Sequence, residues 1–494
     1  MSSNMEAPFI KRFKTSRKHY VYDVNTNRLL EVEPPVYDVL GDYGQLSADE
    51  LREKHSPAHG LEAVDQAISE IEEVRQNDGL LLSDRPETLF YEASREEIES
   101  YYTEKLDNIV LGVTEHCNLS CQYCPWEHLR TGDRHRMPVQ TALASIDFLR
   151  EHSQAVDGSL FVSFYGGEPL LEFDLIRECV DYAEAQLGDR CLFSVTTNGT
   201  LVDEERAEFL AEHEFKTIVS IDGPKRFHDR HRIDRHGKGS FDRATRGLQT
   251  LLHVYGELYE KKLKINTVVT PPYDYDAVGE LWEELPWLPE DFNMMVSSVV
   301  TDFTDFLEDG ARNRRPDVAG RTMEHQKAVF KDALMDEAGE PSPIGISLFE
   351  RGLLRIHARP FWPGPRTNYP LNGCCIPGTR KLYIETDGTF HVCERAHGTP
   401  AIGSLEEGFD DALVCDIIET YARESIGDCR SCWAVGMCNL CFNHAYVDGK
   451  FSLERKCRNC ESVRKDLEQK LMLYCTIREE DEHALDYMQS MALS

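Results

Sequence analysis

No stretch of the sequence is long and apolar enough to span a bilayer, and residues 1–18 lack the apolar core of a signal peptide. Both absences predict a cytoplasmic protein with no membrane partner. Basic residues are scarce, 54 Lys and Arg against 87 Asp and Glu, which leaves a formal net charge of -33. That field makes nucleic acid or an anionic membrane surface a poor partner. No internal repeat is evident. Disorder is excluded for most of the chain, because 41% hydrophobic and 10% aromatic residues supply real cores. At 494 residues the chain exceeds one ordinary compact domain.

Cysteine, by contrast, is plentiful, at sixteen residues. A cytoplasmic compartment keeps thiols reduced, so metal ligation rather than disulfide formation is the expected use. Cys179, Cys191, Cys415 and Cys475 stand apart from any cluster and are expected to pack in cores.

Residues 9–84 read as a small α+β unit. Strands over 19–23 and 28–32 flank an Asn-Thr-Asn turn, and helices over 46–53 and 61–76 follow. The pattern resembles the small peptide-binding modules that precede many peptide-modifying enzymes; a structural cap on the next domain is the alternative. From 108 to 300 strands and helices alternate. Strands are expected over 109–113, 160–165, 192–197, 217–221, 263–269 and 292–299, with helices over 139–152, 175–187, 204–213, 241–255 and 275–284. That order predicts parallel strands with crossover helices, closed or partly closed into a barrel with ligands at the C-terminal strand ends. A helix is expected over 321–336 and another over 462–474. The predicted organisation is an N-terminal α+β, winged-helix-like domain over 1–95 and a partial six-stranded α/β barrel over 96–300. A connecting segment over 301–370, a cysteine-rich domain over 371–476 and an acidic tail over 477–494 complete it.

Cys117-x3-Cys121-x2-Cys124 falls in the loop after the first barrel strand. Three thiolates so spaced grip three irons of a 4Fe-4S cluster and leave the fourth open to a ligand, whereas a structural site is normally closed by four. With Tyr123 before the last cysteine, the motif resembles that of the radical S-adenosylmethionine (SAM) enzymes. Three further landmarks agree, at successive strand ends: Gly166-Gly167-Glu168-Pro169; Thr196-Thr197-Asn198-Gly199; and Ser220-Ile221-Asp222-Gly223-Pro224 with His228, Asp229 and Arg232. The resemblance implies that the Gly-Gly-Glu-Pro segment holds the methionine amino group and that Ser220 and Arg232 hold the cofactor carboxylate. Tyr123 would lie against the adenine. Thr197, Asn198 and Asp222 complete the expected cofactor site. In the family, the reduced cluster cleaves the sulfonium, and a 5′-deoxyadenosyl radical takes a hydrogen atom from the substrate.

Further on come Cys375-x12-Gly388-x4-Cys393, then Cys429-x2-Cys432-x5-Cys438-x2-Cys441, then Cys457-x2-Cys460. A hairpin around Thr386-Asp387-Gly388 should bring Cys375 and Cys393 together. The array resembles the SPASM extension, which implies two auxiliary 4Fe-4S clusters. By that pattern Cys375, Cys393 and Cys441 serve the nearer one, with Cys374, Cys457 or no residue as fourth ligand. Cys429, Cys432 and Cys438 serve the farther one with Cys460 or Cys457. The family usually spaces its last two central cysteines by three residues, and here there are two. On spacing alone, zinc bound by two Cys-x2-Cys pairs is the alternative.

Members with this extension act mostly on peptides or protein side chains. The expected reaction is a thioether crosslink from cysteine sulfur to carbon in a ribosomally made peptide. Its precursor would be held by the N-terminal domain, and electrons would come from a donor such as flavodoxin or ferredoxin. A sulfatase-type maturase making formylglycine is the runner-up, with Glu394 standing where that group places an aspartate base. Carbon–carbon crosslinking, epimerisation, decarboxylation, a multi-cluster electron carrier and a zinc-stabilised peptide-binding scaffold are the other readings.

Overall fold

The computed structural model describes residues 6–125, 133–299, 316–336, 339–395 and 398–491. Parts of the expected N-terminal domain (1–5), connecting segment (301–315) and tail (492–494) lie outside the described residues. The chain divides into two compact units. One comprises Ser94–Glu350 and Cys375–Val414, the other Met1–Ala93, Arg351–Cys374 and Cys415–Ser494. The expected consecutive domains are therefore interleaved, and the predicted cysteine-rich domain is shared between the units. Composition shifts follow chain order and carry no sign of such interleaving.

The first unit is built on six parallel strands: β1 (Asn108–Thr114), β2 (Leu160–Gly166), β3 (Cys191–Thr197), β4 (Lys216–Ser220), β5 (Leu263–Val269) and β6 (Met294–Ser298). They lie in sequential order, β6-β5-β4-β3-β2-β1, with registers such as Ile109↔Val162, Val162↔Phe193 and Ile265↔Met294. Helices Val139–Glu151, Phe173–Leu187, Glu204–Glu212, Phe241–Tyr255 and Asp276–Glu284 cross between them. Sequential parallel order with helical crossovers is the connectivity of a partial (β/α)6 barrel. β1 is buried from Ile109 through Thr114, as expected of a parallel strand covered on both faces. The C-terminal strand ends fall at Thr114, Gly166, Thr197 and Ser220, so the motifs beyond them share one edge of the sheet.

The hairpin of β7 (Leu382–Ile384) and β8 (Thr389–His391) extends this same sheet. β7 runs parallel to β1, with Leu382 opposite Ile109 and Ile384 opposite Leu111, and β9 (Gly403–Ser404) and β10 (Gly408–Phe409) follow β8. Leu382, Tyr383 and Ile384 are all buried, so β7 needs a neighbour and cover on both faces. The sequence reading placed this hairpin in a separate cysteine-rich domain. Gly112 permits the junction, because a Cβ there would meet the Tyr383 hydroxyl and ring carbon Cζ. Gly112→Val is expected to lower stability by about 1–3 kcal/mol, the usual cost of overpacking. Tyr383→Phe should recover part of the loss in a thermal melt.

In the second unit, strands Ile10–Lys14, His19–Asp23 and Arg28–Val32 form an antiparallel sheet in chain order. Helices Pro34–Val39, Ala48–His59 and Leu61–Asn77 pack with it around Val21, Leu51, Val64 and Ile71. Asn27 closes the Asn-Thr-Asn turn at φ 59°, a left-handed conformation that asparagine tolerates. Ser47 and Glu50 form a reciprocal capping box, which fixes where the second helix starts. The strand Ile10–Lys14 was not expected, since its run of basic residues buries only Phe13 fully. The helix expected over 462–474 spans Leu453–Glu480, capped by Ser452, and so carries Cys457 and Cys460 in its opening turns. Among the described residues no helix is long and apolar enough to cross a membrane.

Candidate functional site

β1 delivers the chain into the first cysteine loop, which backbone hydrogen bonds fasten to the segment beyond β4. Ser120 N donates to Ile233 O at 2.7 Å, and Gln122 N donates to His231 O at 3.0 Å. Asn198, at the end of β3, donates through Nδ2 to Asn118 Oδ1 at 2.8 Å and lies 3.9 Å from Cys117 Sγ. The thiols of Cys117, Cys121 and Cys124 are close enough to act on one another electrostatically. Burial, then the Glu168 carboxylate, pushes the Cys117 thiol up to about 12. Burial does the same to Cys121, against the pull of the Arg232 guanidinium. Such thiols give up their protons to a metal rather than to water.

Gly166 and Gly167 serve this loop. A Cβ on Gly166, whose φ is 135°, would strike the Thr114 carbonyl, and one on Gly167 would strike the His116 carbonyl. Gly167 N donates to Thr114 O at 2.8 Å and Glu168 N to His116 O at 2.9 Å. Both glycines thus admit the backbone of the cysteine loop itself. Glu168 is fully buried and its carboxylate accepts from Thr197 Oγ1 (2.6 Å), Asn198 N (2.7 Å) and Leu170 N (3.1 Å). It ties the ends of β2 and β3 together. Pro169 opens the buried turn Pro169–Glu172.

Beyond β4, where Ser220 is buried, Asp222 gathers a network. Its Oδ2 accepts from the Tyr123 hydroxyl and lies 2.9 Å from Arg232 Nε, off the hydrogen-bond axis; its Oδ1 accepts from Val268 N at 3.0 Å. The Arg232 guanidinium sits 5.5 Å from the Tyr123 ring centroid. Tyr123, expected against the adenine, thus has its hydroxyl committed to Asp222, and the charge of Arg232 is balanced before any ligand arrives. His228 completes the bracing. Its Nδ1 accepts from Asp222 N (3.3 Å), its Nε2 donates to Ser240 Oγ (2.9 Å), and Ser240 Oγ donates to Arg232 O (2.7 Å). Ser240 was not singled out in the sequence; it has no motif, only a place before a helix.

Burial, then Arg232, holds His228 well below 6.5, and burial, then Arg230, lowers His231 to about 4. Above pH 6.5 neither folded nor unfolded chain binds these protons. Below it the unfolded imidazoles protonate and the folded ones do not, so stability falls with pH. The slope from each is at most about 1.4 kcal/mol per pH unit. For His231 the window runs from about 6.5 to 4. Urea midpoints measured between pH 7 and 5 should fall, and His228→Gln should flatten that fall.

The C-terminal cysteines are unevenly placed. Cys429, Cys432, Cys438, Cys457 and Cys460 line one cavity of about 490 Å3 in the second unit. Burial raises the Cys429 and Cys438 thiols and pushes Cys460 up to about 11. Cys441 stands outside that lining, its Sγ 3.5 Å from His444 Nδ1. Cys374 and Cys441 belong to the second unit, Cys375 and Cys393 to the first. Gly378 N donates to Val392 O at 3.1 Å, which joins the two arms around the β7–β8 hairpin. Glu394, 7% exposed, accepts from Lys381 Nζ at 3.0 Å through Oε1, while its buried Oε2 has no partner among the described residues. Cys179, Cys191 and Cys475 are buried as expected, but Cys415 is only half-buried.

Residues 111–285 match the Radical SAM superfamily. These residues form a radical SAM domain. It is 29% identical over 358 residues to the cysteine-type anaerobic sulfatase-maturating enzyme of Clostridium perfringens (strain 13 / Type A), covering 70% of this chain and 83% of that one. It is 23% identical over 362 residues to the radical SAM cyclopropyl synthase TigE of Paramaledivibacter caminithermalis, covering 68% of each. Among solved structures, "Native anSMEcpe with bound AdoMet and Cp18Cys peptide" superposes with a TM-score of 0.55 at 17% identity. That likeness of fold covers 78% of this chain and 99% of that one.

A radical SAM domain implies S-adenosylmethionine and one 4Fe-4S cluster, and the loop fits them by its donor set. Its three mutually coupled thiols stand beside a buried cation and a buried carboxylate, which match the two ends of an amino acid. Among the described residues no three His, Cys, Asp or Glu side chains converge as a single ion requires. A cluster asks for no such convergence, since each thiolate takes a different iron.

Proposed function

We propose that this radical SAM maturase oxidises a cysteine or serine side chain of a peptide or protein substrate to the aldehyde level, in the manner of sulfatase maturation. The observation that carries the reading is Glu394: a buried carboxylate with one oxygen uncommitted, directly after Cys393. The likeness to a cysteine-type sulfatase-maturating enzyme over 83% of its length supports it.

When bound, S-adenosylmethionine on the reduced cluster supplies a 5′-deoxyadenosyl radical, which takes one hydrogen atom from the substrate carbon. Oxidation to the aldehyde level also releases one proton and one electron. Glu394 accepts the proton through Oε2, while Lys381 Nζ donates to its Oε1 and holds the carboxylate in place. Auxiliary clusters would supply the acceptor for that electron: Cys429, Cys432, Cys438 and Cys460 would hold the farther one, and Cys375 and Cys393 would contribute to the nearer. From cysteine, hydrolysis of the thioaldehyde then releases sulfide. Glu168, Asp222 and Arg232 orient the amino acid end of S-adenosylmethionine, and Tyr123, Thr197, Asn198 and Ser220 shape the site. An external donor such as flavodoxin or ferredoxin supplies electrons in the cytoplasm. The strand Arg28–Val32 lies at the edge of its sheet and offers an extended peptide a backbone ladder.

The second reading is the thioether crosslink, favoured by the five thiols around one cavity beside Trp433. Mass spectrometry of cysteine- and serine-containing peptides after anaerobic turnover separates the two. An aldehyde trapped by hydrazide supports formylglycine, loss of two hydrogens without an aldehyde supports the crosslink, and unchanged peptides with nucleoside release count against both. Glu394→Gln should keep nucleoside release and lose at least about 100-fold in aldehyde formation.

A further inference from the structure

Lys456 lies on the helix Leu453–Glu480, one residue before Cys457, and is 2% exposed. Its ammonium donates to Cys429 Sγ at 3.3 Å and sits 5.5 Å from the centroid of the Tyr421 ring. The groups that act on it electrostatically are Cys429, Cys460 and Cys438; among the described residues no carboxylate pairs with it. A buried ammonium without a counter-ion costs several kcal/mol, and the face of one tyrosine offsets about 2 kcal/mol of it. Neutral thiols do not supply the rest. A methionine or leucine would fill the same space with no charge to desolvate, so packing does not explain a lysine here. Thiolates gathered on iron carry the negative charge that the site lacks.

We propose that Lys456 sets the reduction potential of the 4Fe-4S cluster held by Cys429, Cys432, Cys438 and Cys460. The inference rests on the auxiliary-cluster reading above. Reduction adds one electron to the cluster and breaks no bond. A fixed cation in N–H···S contact stabilises the more negative, reduced form and so raises the potential. The cavity then becomes the better acceptor for the electron that substrate oxidation releases.

The test uses the full chain carrying Cys117→Ala, Cys121→Ala and Cys124→Ala, reconstituted anaerobically, so that the first cluster contributes no signal. Iron and sulfide are counted, and the protein is titrated with dithionite under electron paramagnetic resonance. Lys456→Met is expected to keep its iron and to be at least tenfold more oxidised at the parent's midpoint, about 59 mV lower for a one-electron couple. Lys456→Arg, which restores charge and donor, should recover most of that shift. An unchanged midpoint at unchanged iron overturns the inference and leaves the cluster reading intact. Iron lost from Lys456→Met also overturns it, since Lys456 would then be a structural prop. If Cys432→Ala loses no iron relative to the parent, the auxiliary-cluster reading fails, and this inference fails with it.

Discussion

Cys121→Ala removes about four irons per chain and brings 5′-deoxyadenosine release down to the level of a protein-free control. Among the described residues the loop has no fourth thiol to replace it. Cys117 is oriented by Asn198 and Cys124 by its turn onto Cys121 O, and Cys121 is within electrostatic reach of both thiols and of the Arg232 guanidinium. Two thiolates hold a cubane poorly, and without the cluster no electron reaches the sulfonium. Cys438→Ala is the informative companion. It also loses about four irons, but nucleoside release continues, because its cavity belongs to the other unit. Cys179→Ala, at a buried helix position away from both sites, should keep all its iron and lose only packing energy. Nucleoside release that survives in Cys121→Ala would remove this loop from the radical chemistry.

Much of the first unit was legible because its signals are local. β1 through β5 begin or end within a residue or so of their expected positions, since β2, β3 and β5 alternate in burial and β1 is a continuous apolar run. The four motifs could be read because each sits where a strand ends. What could not be read depends on partners far away in sequence. Nothing local to Leu382-Tyr383-Ile384 says that Asn108–Thr114 is its neighbour, and nothing local to Ser240 says that His228 needs an acceptor. The long helix Asp411–Cys429 was not among the expected elements. Lys456 lay outside the helix expected over 462–474; only its burial against Cys429 distinguishes it. Gly166 and Gly167 were found, but the loop backbone they admit was not, because glycine announces close approach without saying to what.

Asp222→Asn is expected to cost about 3–5 kcal/mol of local stability around β4 and β5, the penalty for leaving a buried guanidinium unpaired. Asparagine keeps the shape and can still accept from Val268 N, so the change isolates the charge. Arg232, buried beside Tyr123, has no second carboxylate among its described ion pairs to turn to, and the Tyr123 hydroxyl loses its strongest acceptor. The double variant Asp222→Asn, Arg232→Met removes both charges and should recover most of the loss, because replacing a whole buried pair by neutral groups is often close to neutral in stability. Amide hydrogen exchange along Lys216–Ser220 and Leu263–Val269 reads this locally and does not require the two units to unfold together. S-adenosylmethionine binding gives the complementary result: it should be weak in the single variant and absent in the double, since stability returns there but the cation for the cofactor carboxylate does not. Equal loss of protection in both variants would mean that β4 and β5 depend on the Asp222 carboxylate itself and not on its pairing with Arg232.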